Sequence, residues 1–130
     1  MAKPGNTGFL RVKKATLYSI QGFRSAYQHE EAFRQELWLV LCAVVLAMFI
    51  ANTLMQFLLL TLTGLLVLVV ELLNSAIEAV VDRISDQWHE LAGRAKDMGS
   101  AAVFTSLVIM GLTWAIIIWE TQVLARFTNA

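Results

Sequence analysis

Apolar and polar positions divide the chain into four helical segments. From Phe9 to Gln28 the apolar residues Phe9, Val12, Ile20, Phe23 and Tyr27 fall on one side of a helical wheel, and Arg11, Lys14, Tyr18, Gln21, Ser25 and Gln28 on the other. That pattern predicts a surface helix in a membrane interface, its basic side toward headgroups and water. It lacks the compact apolar core and small-residue cleavage site of a signal peptide. The charged segment His29–Glu36 then runs into Leu37–Ala51, which carries no charge. Fifteen helical residues rise only about 22 Å against a hydrocarbon core of about 30 Å, so the first span extends back into the charged segment. A polar break at Asn52, Thr53 and Gln56 precedes a second apolar run that begins at Phe57 and continues to about Ile84. A hydrophilic connection, Ser85–Met98, leads to a third run without charge, Gly99–Trp119. The expectation is an all-α membrane protein forming one domain over 1–130, with a surface helix at about 9–28 and transmembrane helices at about 31–51, 57–84 and 99–119. Met1–Gly8, with Pro4, Gly5 and Gly8, reads as a frayed polar tail.

The second run is interrupted by four polar residues, Glu71, Asn74, Glu78 and Asp82. Spacings of three, four and four hold them within an arc of roughly 80°, a stripe about 16 Å long on one helix face. A carboxylate at hydrocarbon depth costs on the order of 2.5–3.5 kcal/mol on insertion scales, so Glu71 must face protein or a wet cleft, and a functional role is the default expectation.

Composition agrees with a membrane protein: 58% of residues are hydrophobic, 15% charged, and one is proline. Ten basic and ten acidic residues cancel, so no bulk field argues for nucleic acid as a partner. Cys42 is the only cysteine, which excludes an intrachain disulfide and argues against a cysteine-based metal site. The basic residues are unevenly placed. Lys3, Arg11, Lys13, Lys14, Arg24 and Arg34 precede the first span, Arg83, Arg94 and Lys96 lie between the second and third, and the turn between the first two has none. The positive-inside rule therefore puts the N-terminus and the second connection in the cytoplasm, and the first turn and the C-terminus outside. Trp114 and Trp119 fit an outer aromatic belt, Trp38 and Trp88 an inner one.

At the cytoplasmic edge Glu30, Glu78 and Asp97, with Asn74 as a neutral oxygen donor, are hard ligands suited to Mg²⁺. Lys96 and Asp97 precede Gly99 and Ser100, where the third helix is expected to begin, and a helix N-terminus beside a lysine is a phosphate site. Arg11, Lys14 and Arg24 add phosphate contacts from a second side. Plainer readings stand beside these. Glu30 and Arg34 have the spacing of a surface ion pair, Glu78 and Asp82 can pair with Arg83 or Arg94, Lys96 and Asp97 can be cap and positive-inside residues, and His89 reads as a solvated loop histidine. Glu71 has no adjacent cation to neutralise it. No G-x-x-x-x-G-K-[ST], G-x-G-x-x-G or H-R-D-type loop is present, so a nucleotide site here is built unlike those of soluble kinases.

The segments EAFRQE (Glu31–Glu36), VELLNSAIEAVVDRI (Val70–Ile84) and HELAGRAKDMGSAAV (His89–Val103) resemble the bacterial integral-membrane diacylglycerol kinase family, in register from about Gly8 to Trp119. The resemblance implies a homotrimer in the inner membrane with sites shared between subunits, and transfer of the ATP γ-phosphate to diacylglycerol to give phosphatidic acid. It makes Glu71 the general base at the lipid hydroxyl, held by Asn74, and Glu30 and Glu78 the ligands of the Mg²⁺ that accompanies ATP. It puts Arg11, Tyr18, Lys96 and Asp97 on the nucleotide, Gln87, Trp88 and His89 near its adenosine end, and Arg11, Ala15, Ser19, Arg24, Ala32, Gln35, Glu36, Glu71 and Ser100 along the lipid substrate. The surface helix departs from the family in carrying Ile20 and Tyr27 where tryptophans are expected. Two other functions fit the residues: phosphorylation of undecaprenol by the same chemistry, and an oligomeric cation or proton pathway lined by Glu71, Asn74 and Glu78.

Overall fold

The computed structural model describes residues 8–84, 87 and 89–128, and all regular structure there is helical. Helix α1 spans Phe9–His29, α2 Glu31–Ile50, α3 Leu54–Ile84 and α4 Glu90–Thr128. Three of these are long and apolar enough to cross a membrane, over Glu31–Ile50, Leu54–Ile84 and Glu90–Val123. At 1.5 Å per residue the 31 residues of α3 and the 39 of α4 rise about 46 and 58 Å, so both outlast a hydrocarbon core of about 30 Å. α3 is the central element, packed against α2 on one side and α4 on the other.

The α1–α2 break and the starts of α3 and α4 have chemical causes. Glu30 adopts an extended conformation (φ −105°, ψ 115°) that breaks α1 from α2. The Arg34 guanidinium donates to the carbonyls of Tyr27 at 3.0 Å and Gln28 at 3.4 Å, closing the last turn of α1. Arg34 is thus engaged with backbone, a different use from the ion pair with Glu30 that its spacing suggests. α3 opens on a variant of the capping box: the Thr53 hydroxyl accepts the Gln56 N–H at 3.2 Å, and Gln56 Oε1 reaches one residue further back to accept the Asn52 N–H at 2.9 Å. At the start of α4, His89 Nδ1 accepts the Leu91 N–H at 3.2 Å, so the ring serves as a helix cap.

α4 begins at Glu90, nine residues before the expected start at Gly99. Glu90, Leu91, Ala92, Arg94, Ala95 and Lys96 are good helix formers, and the apolar run marks where lipid begins, not where the helix does.

Two clusters close the bundle. One joins Ala26, Phe33, Val40 and Leu68; the other joins Ala47, Leu60 and Ile117, with Trp114 packed against them. Trp114 therefore turns inward, whereas Trp119 is 74% exposed. A Cβ on Gly64 would stand 3.1 Å from Val40 Cγ1, so glycine there lets α2 and α3 approach closely. Large apolar side chains stand exposed on every span, Phe49 at 82% and Phe104 at 69% among them, surface that only lipid or further helices can cover.

Candidate active site

The polar stripe of α3 runs from buried to wet. Glu71 is 3% exposed, Asn74 and Ser75 8%, Glu78 is half-buried and Asp82 is exposed. Side chains four apart join along it: Asn74 Nδ2 donates to Glu78 Oε1 at 3.1 Å, and the Ser75 hydroxyl donates to Glu71 Oε1 at 3.5 Å. Asn74 Oδ1 is buried without a partner and abuts Gly99 of α4, where any Cβ would collide with it. An unmade hydrogen bond of this kind costs on the order of 1–3 kcal/mol, a cost found where a ligand or water supplies the partner.

α2 brings a further acid. Glu36 is half-buried, its Oε2 has no partner, and it lies within electrostatic reach of Glu71. Glu30, at the α1–α2 break, and Glu78 also act electrostatically on Glu71. Carboxylates from the break, α2 and α3 thus lie within electrostatic reach of Glu71. Among the described residues no three His, Cys, Asp or Glu side chains come together closely enough to hold a metal ion unaided.

From the α4 side, Lys96 Nζ meets Asp82 at 2.6 Å, so Asp82 pairs with Lys96 and not with Arg83 or Arg94. Lys96, Asp97 and Ser100 lie inside α4 and not at its start. Beyond the first turn, backbone N–H groups are engaged within the helix, so the expected helix N-terminus for phosphate does not exist there. Lys96 remains a side-chain cation beside the stripe, and Asp97 and Ser100 are exposed.

α1 meets α3 along a cleft of about 460 Å³ lined by Ser19, Gly22, Ser25, Glu30, Ser75 and Ala76 among others. Arg11, Ala15 and Tyr18 continue the same seam of α1 and are exposed. Arg24 is also exposed and stands about 140° around the helix from Arg11, off that seam, so the two arginines do not present to one point. Ala32 and Gln35 lie on an exposed face of α2, where Gln35 Nε2 donates to Glu31 Oε1 at 3.3 Å. Gln87 and His89 line a separate cleft of about 350 Å³ with Val81, Ile84 and Leu91, between the end of α3 and the start of α4. Trp88 lies outside the described residues.

Two residues of this region escape a reading of the sequence alone. Ser75 is announced only by its spacing of four from Glu71, and Gly99 only by being a glycine within an apolar run.

Comparison with known proteins bears on the same segments. The family model for prokaryotic diacylglycerol kinase matches residues 17–118. A diacylglycerol kinase of Escherichia coli K12 is 52% identical over 114 residues, covering 88% of this chain and 93% of that one. Those of Haemophilus influenzae and Pseudomonas aeruginosa are 47% and 46% identical, over 83% and 88% of this chain and 92% and 93% of theirs. Together with the three apolar spans and the buried acidic stripe, these matches establish that the chain belongs to the prokaryotic diacylglycerol kinase family.

Proposed function

We propose that this protein is an ATP-dependent lipid kinase that phosphorylates the free hydroxyl of diacylglycerol to give phosphatidic acid, at the Glu71 end of the bundle. The observation that carries the site assignment is a carboxylate 3% exposed on a helix long enough to cross a membrane, in the same helix as a water-exposed acid. A base at that depth meets an alcohol arriving sideways from the bilayer, while the exposed end of the stripe meets a nucleotide arriving from water.

The chemistry is in-line displacement. The lipid hydroxyl oxygen attacks the γ-phosphorus, the bond from that phosphorus to the β–γ bridging oxygen breaks, ADP leaves, and the hydroxyl proton passes to a Glu71 oxygen. Ser75 engages Oε1, which leaves Oε2 to take the proton. Asn74 ties Glu78 in place through Nδ2 and offers the unpartnered Oδ1 toward a ligand. Lys96 supplies positive charge close to the stripe, with Asp82 fixing its position.

Glu30 and Glu78, which both act electrostatically on Glu71, are proposed to hold Mg²⁺, an ion that usually takes one or two carboxylates and completes its octahedron with water and phosphate oxygens. When bound with ATP the ion supplies neutralisation of phosphate charge. Arg11 and Tyr18 are proposed as nucleotide contacts along the α1 seam, with Gln87, Trp88 and His89 toward the adenosine and Asp97 on the same inner side. Ala15, Ser19, Ala32, Gln35, Glu36 and Ser100 are proposed to border the lipid. A homotrimer with sites completed between subunits is proposed, which would cover part of the exposed apolar faces, in an inner membrane with the Glu71 end cytoplasmic, the side favoured by the basic residues before the first span and between the second and third.

The test is purified protein in mixed micelles with labelled ATP, Mg²⁺ and either diacylglycerol or undecaprenol. Label is expected in phosphatidic acid. Label in undecaprenyl phosphate alone, or ion flux from proteoliposomes without nucleotide, would replace this reading.

A further inference from the structure

A hydroxyl in a helix often turns back to its own backbone, whether exposed or buried. Thr16, Ser19, Thr105, Ser106 and Thr113 of this chain all do so, donating to carbonyls three or four residues earlier at 2.7–3.1 Å. Two buried hydroxyls among the described residues depart from that habit: Thr61 has no partner, and Ser75 bonds to a side chain. Although 8% exposed, it directs its hydroxyl at 3.5 Å to Glu71 Oε1, a side-chain acceptor. The same residue lines the α1–α3 cleft together with Ser19, Ser25 and Glu30. Ser75 therefore touches both the proposed base and the space beside it. At 3.5 Å the bond is long, as contacts to a catalytic group often are before substrate is bound.

We infer that Ser75 is a positioning residue for the phosphoryl transfer: its hydroxyl occupies Oε1 of Glu71 and so orients Oε2 toward an alcohol held at the α1–α3 cleft. The inference rests on the proposed role of Glu71 as base and adds to it the group that aims that base. A hydroxyl donor is required at 75, and threonine also supplies one.

The experiment compares Ser75→Ala, Ser75→Thr, Ser106→Ala and Glu71→Gln in the full-length protein in mixed micelles, with kcat, KM for ATP and thermal stability measured on each preparation. Ser106 is an equally buried serine whose hydroxyl serves its own helix at Val103. The expected result is a kcat about tenfold or more lower in Ser75→Ala, corresponding to about 1.4 kcal/mol of barrier, with KM for ATP within about twofold of the parent, recovery in Ser75→Thr, and parental kcat in Ser106→Ala. Parental kcat in Ser75→Ala alongside an inactive Glu71→Gln overturns the role of Ser75 and leaves Glu71 as the base. Equal losses in the Ala and Thr variants overturn it too, because they show a requirement for serine's shape and not for its donor. Parental kcat in Glu71→Gln removes the foundation of both claims.

Discussion

The two ends of α3 bury polar side chains in opposite ways. At the Gln56 end, Gln56 is 8% exposed and its amide is fully engaged: Oε1 holds the Asn52 N–H at 2.9 Å, and Nε2 donates to Glu120 Oε2 at 3.2 Å across to α4. At the Glu71 end, Asn74 is just as buried, yet only its Nδ2 is engaged, and Oδ1 faces Gly99 without a partner. The first arrangement closes on itself and fastens helices. The second leaves an acceptor open beside the acids that act on Glu71, where a ligand or water can complete it. The contrast concerns the two amides; Trp114 Nε1, packed at the Gln56 end, also lacks a partner.

The largest expected effect concerns sides of the membrane. If the ends lie across the bilayer from one another, then in a Cys42→Ala background a cysteine replacing the exposed Asn52 should react with an impermeant thiol reagent applied to intact cells, and one replacing Gln87 should not. Thr53 is left untouched because it caps α3. Reversed labelling would put the acidic stripe at the outer face.

Next come the acids proposed for Mg²⁺. Glu78→Gln keeps an acceptor for Asn74 but removes a charge, so turnover should collapse or demand far more Mg²⁺, and Glu30→Gln should shift the Mg²⁺ requirement in the same direction, with the helical fold unchanged by circular dichroism. Unaltered Mg²⁺ dependence in both would reject them as ligands.

Gly99→Ala should follow. Its Cβ would strike Asn74 Oδ1, and overpacking of this kind costs about 1–3 kcal/mol, so kcat should fall by about tenfold or more through displacement of Asn74. Gly111→Ala, with open space around its Cβ, is the control and should behave as the parent.

The smallest effect on chemistry belongs to the other end. Gln56→Leu leaves the Asn52 N–H and Glu120 without their partners, which should destabilise the protein by about 1–3 kcal/mol. Below its melting temperature the variant should keep parental kcat. A larger loss of kcat than of stability there would erase the distinction between a fastening end and a reacting end.

How much of this was legible in the chain follows from what each signal reports. The stripe Glu71–Asn74–Glu78–Asp82 could be read because helical spacing alone puts those residues on one face, and the structure grades that face from buried to exposed. The start of α4 could not, because hydropathy reports the surrounding solvent and the helix begins nine residues before the uncharged run. With that start the phosphate-binding helix terminus at Lys96 also disappears. Thr53-x-x-Gln56 has the spacing of a capping box, but Gln56 Oε1 takes the Asn52 N–H in place of that of Thr53, a partner the motif does not specify. The Lys96–Asp82 pair and the pressure of Gly99 on Asn74 depend on how α3 and α4 approach, and nothing local in the chain encodes that.

The central claim is that Glu71 takes the proton of the lipid hydroxyl, and Glu71→Gln tests it most directly. Glutamine keeps the shape and an acceptor for Ser75 but cannot take a proton, and it removes a buried charge. kcat, ATP binding and thermal stability should be measured on one preparation. The expected result is a kcat lower by about 10²–10⁴-fold, the range of lost general-base catalysis, with ATP affinity nearly unchanged and stability equal to or above the parent. Near-parental kcat in a well-folded Glu71→Gln protein would contradict the account.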